Sequence, residues 1–145
     1  MTQVLSRENL LLAHKKVVSN KGAPGVDGVR VEELWGFCQD NWAKISEEIE
    51  AGTYRPIPVK KVEIPKPGGG TRILGIPCVV DRLILQALNQ VLTPIFDEGF
   101  SDSSFGFRPN RSAHDALKRA GDFIAAGHTW VVINPAINYR ENHFA

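Results

Sequence analysis

A glycine-rich turn flanked by two cations is the clearest candidate for chemistry in this 145-residue chain. Residues 66–70 read KPGGG, and Arg72 follows two positions later. Glycines let a backbone approach a ligand closely and expose its N–H groups, and an arginine guanidinium can donate in a fork to phosphate oxygens. The pattern predicts that Lys66 and Arg72 bind a polyphosphate or a nucleic-acid backbone, although it is not a P-loop because no Gly-Lys-Ser/Thr follows. The alternative is a plain surface hairpin whose glycines serve only the turn.

Aromatic and basic side chains are interleaved in a second candidate segment, which reads FGFRPNRS over residues 105–112. Aromatic rings stack on bases and arginines bind phosphates, so this mixture is typical of contacts with a nucleic acid. The candidate contacts are Phe107, Arg108 and Arg111. The alternative is that the phenylalanines anchor a long loop to the core.

Basic residues are concentrated in three segments, although the formal net charge is only +1. Residues 55–72 carry five Lys or Arg side chains and one Glu, and residues 1–30 and 108–119 are also basic. Residues 31–54, in contrast, carry six acidic side chains and one Lys. A fold that gathers the basic segments on one face would form a phosphate-binding surface, whereas the alternative is a set of solvated faces.

The composition excludes several classes of protein. Hydrophobic residues make up 43% and charged residues 23%, which is typical of a soluble globular chain and not of a disordered or collagen-like one. Cys38 and Cys78 are too far apart for a CxxC clamp and the histidines lack ligand spacing, so we expect no metal site in this chain. The N-terminus shows no secretory pattern and no apolar run is long enough to cross a bilayer, so we expect a cytoplasmic protein with no membrane partner.

Hydrophobic periodicity and turn residues predict the elements that position these segments. We expect helices over residues 6–19, 31–51 and 79–96, another helix that begins at Ser112, a basic β-hairpin of strands 59–65 and 71–77, and a short strand over 129–133. Ser6 and the pair Ser112 and Asp115 are expected to cap helices, and Gly52 to end one.

Three further features are expected to affect these elements. Gly36 is a candidate break between two helices in the second helical segment. Pro94 is expected to kink or end the third helix, because it lacks a backbone N–H. Asp81 and Arg82 are expected to form a local ion pair or to supply charges at the start of that helix.

Three long stretches, in this order, resemble the N-terminal part of a group II intron reverse transcriptase, also called an intron maturase. The stretches are NKGAPGVDG over residues 20–28, GTYRPIPVKKVEIPKPGGGTRILGIPCVVDRLILQAL over 52–88 and FDEGFSDSSFGFRPNRSAHDAL over 96–117. The resemblance implies an α+β fold of the polymerase fingers type, with helices around a small, mostly antiparallel sheet that carries a basic β-hairpin. Residues 1–132 would then be the fingers and the start of the palm, and residues 133–145 a divergent or truncated tail.

The resemblance also implies roles for particular residues. The hairpin would close over an incoming nucleotide, and Lys66 and Arg72 would touch its triphosphate. The partners would be intron RNA, template RNA and a template–primer duplex, and such proteins help their own intron to splice. The residues expected to contact RNA or template are Lys21, Ala23, Pro24, Gly25, Val26, Arg55, Lys60, Lys61, Phe107, Arg108, Pro109 and Arg111.

The chain departs from the family pattern at the catalytic centre. Nucleotidyl transfer in this family uses two Mg²⁺ ions held by carboxylates, so Mg²⁺ is expected for a full-length family enzyme. The first carboxylate would follow the strand at Trp130, where residues 133–135 read Ile-Asn-Pro, and no Tyr-Ala-Asp-Asp turn occurs. We therefore expect no catalytic residue and no cofactor in this chain. The alternatives to an RNA-binding fingers module are a self-associating module that forms a homodimer and a remnant without function.

Overall fold

The computed structural model describes residues 1–130, which fall into two compact units. The N-terminal unit spans Met1–Glu98, and the C-terminal unit begins at Gly99. Within residues 1–130 the elements are four α-helices, one short 3₁₀ turn and a two-stranded antiparallel sheet, which confirms the α+β class. Their bounds are α1 Arg7–Ser19, the 3₁₀ turn Val31–Glu33, α2 Leu34–Glu50, β1 Lys60–Pro65, β2 Thr71–Ile76, α3 Val79–Asp97 and α4 Ala113–Ala125.

Helix α1 begins where the sequence predicts and packs along α3. The Ser6 hydroxyl accepts a hydrogen bond from the Asn9 amide at 3.3 Å, which satisfies one of the free N–H groups of the first turn. Ala13 and Ala87 have no exposed surface, and such small side chains let two helices come close. The side-chain amide of Asn9 donates through Nδ2 to the Ala87 carbonyl at 3.0 Å, so a polar contact fixes the register of the two helices.

Two hydrophobic clusters form the core of the N-terminal unit, and α3 contributes to both. Apolar residues recur along α3 at helical spacing, so burial of one face holds the helix against its neighbours. The first cluster contains Val4, Ala13, Val17, Val31, Leu34, Val79, Leu83 and Ala87, and the second contains Ile45, Ile49, Cys78, Val80 and Ile84.

The structure contradicts the helix break expected at Gly36 and, of the two effects expected of Pro94, the end of the helix. Gly36 lies inside the continuous helix α2, and the second helical segment divides instead at Leu34, where the 3₁₀ turn gives way to α2. Pro94 does not end α3, which continues to Asp97. In α2 burial of the apolar face outweighs the weak helix preference of Gly36. Pro94 lies in the last turn of α3, where little of the helix depends on it.

Alanine substitutions at Gly36, within α2, and at Gly52, just after it, are expected to have opposite effects. Gly36 lies in the first turn of α2 with no atom within 4 Å of an added Cβ, so Gly36→Ala should raise the free energy of unfolding by about 0.5 kcal/mol. Gly52 follows the helix with φ +69°, a conformation that alanine disfavours, so Gly52→Ala should lower it by about 1 kcal/mol. Urea unfolding followed by circular dichroism measures both. A change of the same sign in the two variants would contradict this account.

The basic segment between α2 and α3 forms the predicted β-hairpin. Strands β1 and β2 pair antiparallel with Lys60 opposite Ile76 and Pro65 opposite Thr71. The turn closes through the Lys66 N–H, which donates to the Gly70 carbonyl at 3.0 Å. Gly69 and Gly70 have φ of +91° and +78°, which only glycine adopts readily, so the turn requires these two glycines.

The C-terminal unit consists of an irregular stretch followed by α4, whose start is capped as the sequence predicts. The Asp115 amide donates to the Ser112 hydroxyl at 3.2 Å, and the Ser112 amide donates to the Asp115 carboxylate at 3.0 Å. The hydrogen bond from the Ser112 hydroxyl lowers the pKa of Asp115 below its usual value. In the strand expected over 129–133, residues 129 and 130 belong to no regular element and the others lie outside the described residues. None of the described helices is long and apolar enough to cross a membrane.

Candidate nucleic-acid interface

The β-hairpin presents most of its cations to solvent. Directly paired residues of an antiparallel sheet lie on the same face, so Arg72 shares a face with Ile64 and, two residues along each strand, with Leu74 and Val62. No acidic side chain among residues 1–130 pairs with Lys66 or Arg72. A hairpin with exposed apolar and cationic groups on one face can contact both the phosphates and the sugars or bases of a nucleic acid.

The other cations of the segment 55–61 are also exposed. Arg55 precedes the hairpin and Lys60 begins β1. Lys61 differs from them. It shares with Glu63 the face of β1 that is opposite to the face of Arg72, and its ammonium lies 3.5 Å from the Glu63 carboxylate. Since an exposed ion pair is weak, Lys61 remains able to exchange Glu63 for a phosphate.

The glycine- and proline-rich loop over residues 21–28 docks on the start of α3. The Arg82 guanidinium donates to the Ala23 carbonyl at 2.6 Å. Gly25 is buried, and an added Cβ there would lie 2.7 Å from the Cα atom of Cys78. Of the loop residues singled out by the sequence, Lys21, Ala23 and Val26 are exposed, Pro24 is half-buried and Gly25 is buried.

Sequence reasoning missed the role of Asp81, which is 5% exposed. Its carboxylate accepts hydrogen bonds from the Tyr54 hydroxyl at 2.7 Å and from the Ile57 amide at 3.2 Å. Burial, and next the hydrogen bond to Asp81, raise the pKa of Tyr54 above its usual value. Of the two alternatives expected for Asp81 and Arg82, the charge at the helix start is confirmed for Asp81, which lies in the first turn of α3. The local ion pair is not formed, because each side chain binds a different distant segment. The only sequence signal for this buried role is a carboxylate next to apolar residues in the first turn of a largely apolar helix.

In the C-terminal unit, Arg108 and Arg111 bind the loop that carries them. The Arg108 guanidinium donates to the Ser101 carbonyl at 2.8 Å and stacks over the Phe100 ring at 5.4 Å. The Arg111 guanidinium donates to the Asp102 carbonyl at 2.6 Å. Both arginines are half-buried, so part of their donor capacity is used within the protein.

The two phenylalanines of the same segment differ in exposure. Phe105 is half-buried beneath Arg111, with 5.4 Å between the guanidinium carbon and the ring centre. Phe107 is fully exposed and has φ +58°, which is uncommon for a bulky residue. Pro109, two residues later, is exposed as well. Phe107 is therefore the aromatic ring that is free to stack on a base, whereas Phe105 stabilises the loop.

The described residues do not form a metal centre. Residues 1–130 contain no group of three His, Cys, Asp or Glu side chains arranged to hold an ion. Asp81, the buried carboxylate, already has both oxygens engaged by Tyr54 and Ile57. The donor set of this region therefore does not fit a pair of Mg²⁺ ions, which require several carboxylate oxygens.

Comparison with known proteins identifies relatives of this chain. The chain is 40% identical over 108 residues to the group II intron-encoded protein LtrA of Lactococcus lactis subsp. cremoris, a match that covers 74% of this chain and 18% of LtrA. The chain is homologous to group II intron-encoded proteins. It is also 39% identical over 113 residues to the protein YkfC of Escherichia coli, covering 77% of this chain and 30% of YkfC.

Another relative of the chain is named as a maturase. The nuclear intron maturase 2, mitochondrial, of Arabidopsis thaliana is 40% identical over 52 residues, or 36% of this chain and 7% of that protein. No family model matches the chain. The chain thus spans less than a third of the length of these curated relatives.

Proposed function

We propose that this homologue of group II intron-encoded proteins is an RNA-binding module of the polymerase fingers type. Lys66 and Arg72 contact phosphates, both those of an incoming nucleotide and those of the bound RNA, and the other cations around the hairpin and the loop over residues 21–28 contact intron and template RNA. The observation that carries the proposal is the β-hairpin, whose cations Lys66 and Arg72 are without acidic partners among residues 1–130. The homology to intron-encoded proteins supports RNA as the general class of partner.

The same proposal assigns no nucleotidyl transfer to this chain. The described residues lack a carboxylate group that could hold two Mg²⁺ ions, and two-metal catalysis of phosphoryl transfer depends on such a group. Template and primer would be bound here, whereas the metal ions that activate the reacting groups would be held by carboxylates outside residues 1–130. Primer extension by the purified chain would overturn this part of the proposal.

Substitution of Arg72 by alanine tests the proposed function. Loss of one phosphate contact should weaken binding about threefold to tenfold and lower the slope of log affinity against log salt by about one. The measurement is fluorescence anisotropy of a fluorescein-labelled RNA duplex with a single-stranded 5′ overhang, titrated at several salt concentrations.

Lys44→Ala is the matched control for charge. The Lys44 side chain is 81% exposed on the acidic helix α2 and lies 3.9 Å from Glu48, so its loss removes one positive charge away from the hairpin. It should leave the affinity for RNA within about twofold of wild type. Equal effects of the two substitutions would show that only net charge matters and would overturn the proposed role of the hairpin.

Self-association is a second candidate function, favoured by the exposed apolar face of α4. Leu117 and Ile124 on this helix are 72% and 65% exposed, and no residue of α4 is buried. Large exposed apolar side chains on one helix face are typical of an interaction surface. A molar mass that rises with concentration in sedimentation experiments would support a homodimer, and a monomer at high concentration would exclude it.

A further inference from the structure

The first turn of α3 lies between the two segments that we propose to contact RNA. We call residues 78–82, from Cys78 to Arg82, the anchor turn. Three of its residues, Cys78, Val79 and Val80, are at most 3% exposed. Val79 belongs to the first hydrophobic cluster, and Cys78 and Val80 belong to the second. Because this turn is fixed in the core on two sides, a segment bound to it is held in a defined position.

Asp81 binds the segment that leads into the hairpin. Its carboxylate holds the Tyr54 hydroxyl and the Ile57 amide, as described above. Residues 55–58 read Arg-Pro-Ile-Pro, and proline restricts both its own φ and the residue before it. This stiff connection joins the anchored Ile57 to the start of β1 at Lys60, so the direction of the hairpin depends on Asp81.

Arg82 binds the loop over residues 21–28 from the adjacent position of the anchor turn. Its guanidinium donates to the Ala23 carbonyl and occupies the space beside Gly22 that a side chain would need. Gly25 then brings the loop backbone against Cys78, where a Cβ would not fit. Consecutive residues of a helix point about 100° apart, which lets Asp81 and Arg82 serve different segments.

We propose that Asp81 and Arg82 are positioning residues that hold the hairpin and the loop in fixed positions for one RNA ligand. The proposal rests on the proposed function, since it concerns how the same RNA-contacting segments are oriented. A binding surface that is already ordered loses less conformational entropy when its ligand binds. Neither Asp81 nor Arg82 needs to touch RNA, because each acts through cations of the segment that it holds, Arg72 for the hairpin and Lys21 for the loop.

The experiment is a set of double-mutant cycles on the full 145-residue chain, with the same labelled RNA duplex as the probe. Tyr54→Phe removes the hydroxyl that binds Asp81, and Arg82→Ala removes the guanidinium that binds Ala23. Each is measured in the wild-type chain, in a Lys66→Ala/Arg72→Ala background and in a Lys21→Ala background. Lys44→Ala is the control for the charge that Arg82→Ala removes. Ser46→Ala is the control for the hydroxyl that Tyr54→Phe removes, because the Ser46 hydroxyl also donates a hydrogen bond, to the Ala43 carbonyl on α2.

The two positioning variants should depend on different backgrounds. Tyr54→Phe should weaken RNA binding about fivefold in the wild-type chain, and by less than about twofold once the hairpin cations are removed. Arg82→Ala should behave in the reverse way: its effect should persist in the hairpin background and shrink in the Lys21→Ala background. Amide hydrogen exchange should rise at Ile57 in Tyr54→Phe and around Ala23 in Arg82→Ala.

A merely structural role would give a different result. General destabilisation would lower the melting temperature and weaken binding by the same factor in every background, which would overturn the positioning role. If the wild-type chain binds RNA and Arg72→Ala weakens it, but the cycles are additive, only the positioning proposal fails. If the wild-type chain does not bind the duplex, or the hairpin cations have no effect on its affinity, the proposed function fails and the positioning proposal fails with it.

Discussion

Asp81→Ala is expected to lower the free energy of unfolding of the N-terminal unit by about 3 kcal/mol. The substitution leaves the Tyr54 hydroxyl and the Ile57 amide without the acceptor that each now has at 2.7 and 3.2 Å. Both donors are partly buried against α3, so water replaces the carboxylate poorly. Urea unfolding followed by circular dichroism and by tryptophan fluorescence measures the loss.

Two control variants separate the hydrogen bonds of Asp81 from its charge. Asp81→Asn keeps one acceptor oxygen and the shape of the side chain, so it should cost about half as much as Asp81→Ala. Asp40→Ala removes an exposed carboxylate from α2 and should change stability by less than about 0.5 kcal/mol. If Asp81→Ala and Asp40→Ala destabilise the chain equally, the buried carboxylate does not hold the segment that contains Tyr54 and Ile57.

The elements that the sequence predicts well are those whose ends depend on neighbouring residues. Ser6 caps α1 through Asn9, Ser112 caps α4 through Asp115, and each pair is three residues apart. The KPGGG turn is equally local, because its two positive-φ glycines determine the hairpin whatever surrounds it. Contacts of this kind can be predicted from the spacing of the residues in the sequence alone.

Expectations failed where packing overrides a local preference. Gly36 is a weak helix former, yet α2 continues through it because Leu34, Ile45 and Ile49 bury one face of the helix. The energy of these contacts lies in partners that are distant in sequence, so a local pattern underestimates it.

The candidate site also combines local features that the sequence predicts with distant contacts that it does not predict. Exposed cations at Lys66 and Arg72 follow from the composition of a short hairpin, and the resemblance of its sequence pointed to the family that the relatives confirm. The contacts that orient this hairpin and the loop do not follow from spacing. Tyr54 and Asp81 are 27 positions apart, and Ala23 and Arg82 are 59 positions apart. Only the packing of α3 between the two segments brings these residues together.

Gly25→Ala is expected to release the loop over residues 21–28 from α3, with a loss of about 2 kcal/mol in the free energy of unfolding. The new Cβ would lie 2.7 Å from the Cys78 Cα atom and 2.9 Å from its amide nitrogen. These are backbone atoms at the start of a buried helix, so the loop must move rather than α3. The φ of Gly25 lies outside the left-handed region, which means that the cost comes from this clash and not from backbone strain.

Two other glycines serve as matched controls for the stability of Gly25→Ala in urea unfolding, and the anisotropy assay with labelled RNA measures the affinity of Gly25→Ala. Gly68→Ala adds the same methyl group at the hairpin turn, where no atom lies within 4 Å, and should change stability by less than about 0.5 kcal/mol. Gly22→Ala meets the flexible end of Arg82, which can swing away, so it should cost less stability than Gly25→Ala while weakening the contact with Ala23. Gly25→Ala should also weaken RNA binding about as much as Lys21→Ala, because both remove the contribution of the loop. Wild-type stability and affinity in Gly25→Ala would show that the loop does not need its close approach to Cys78.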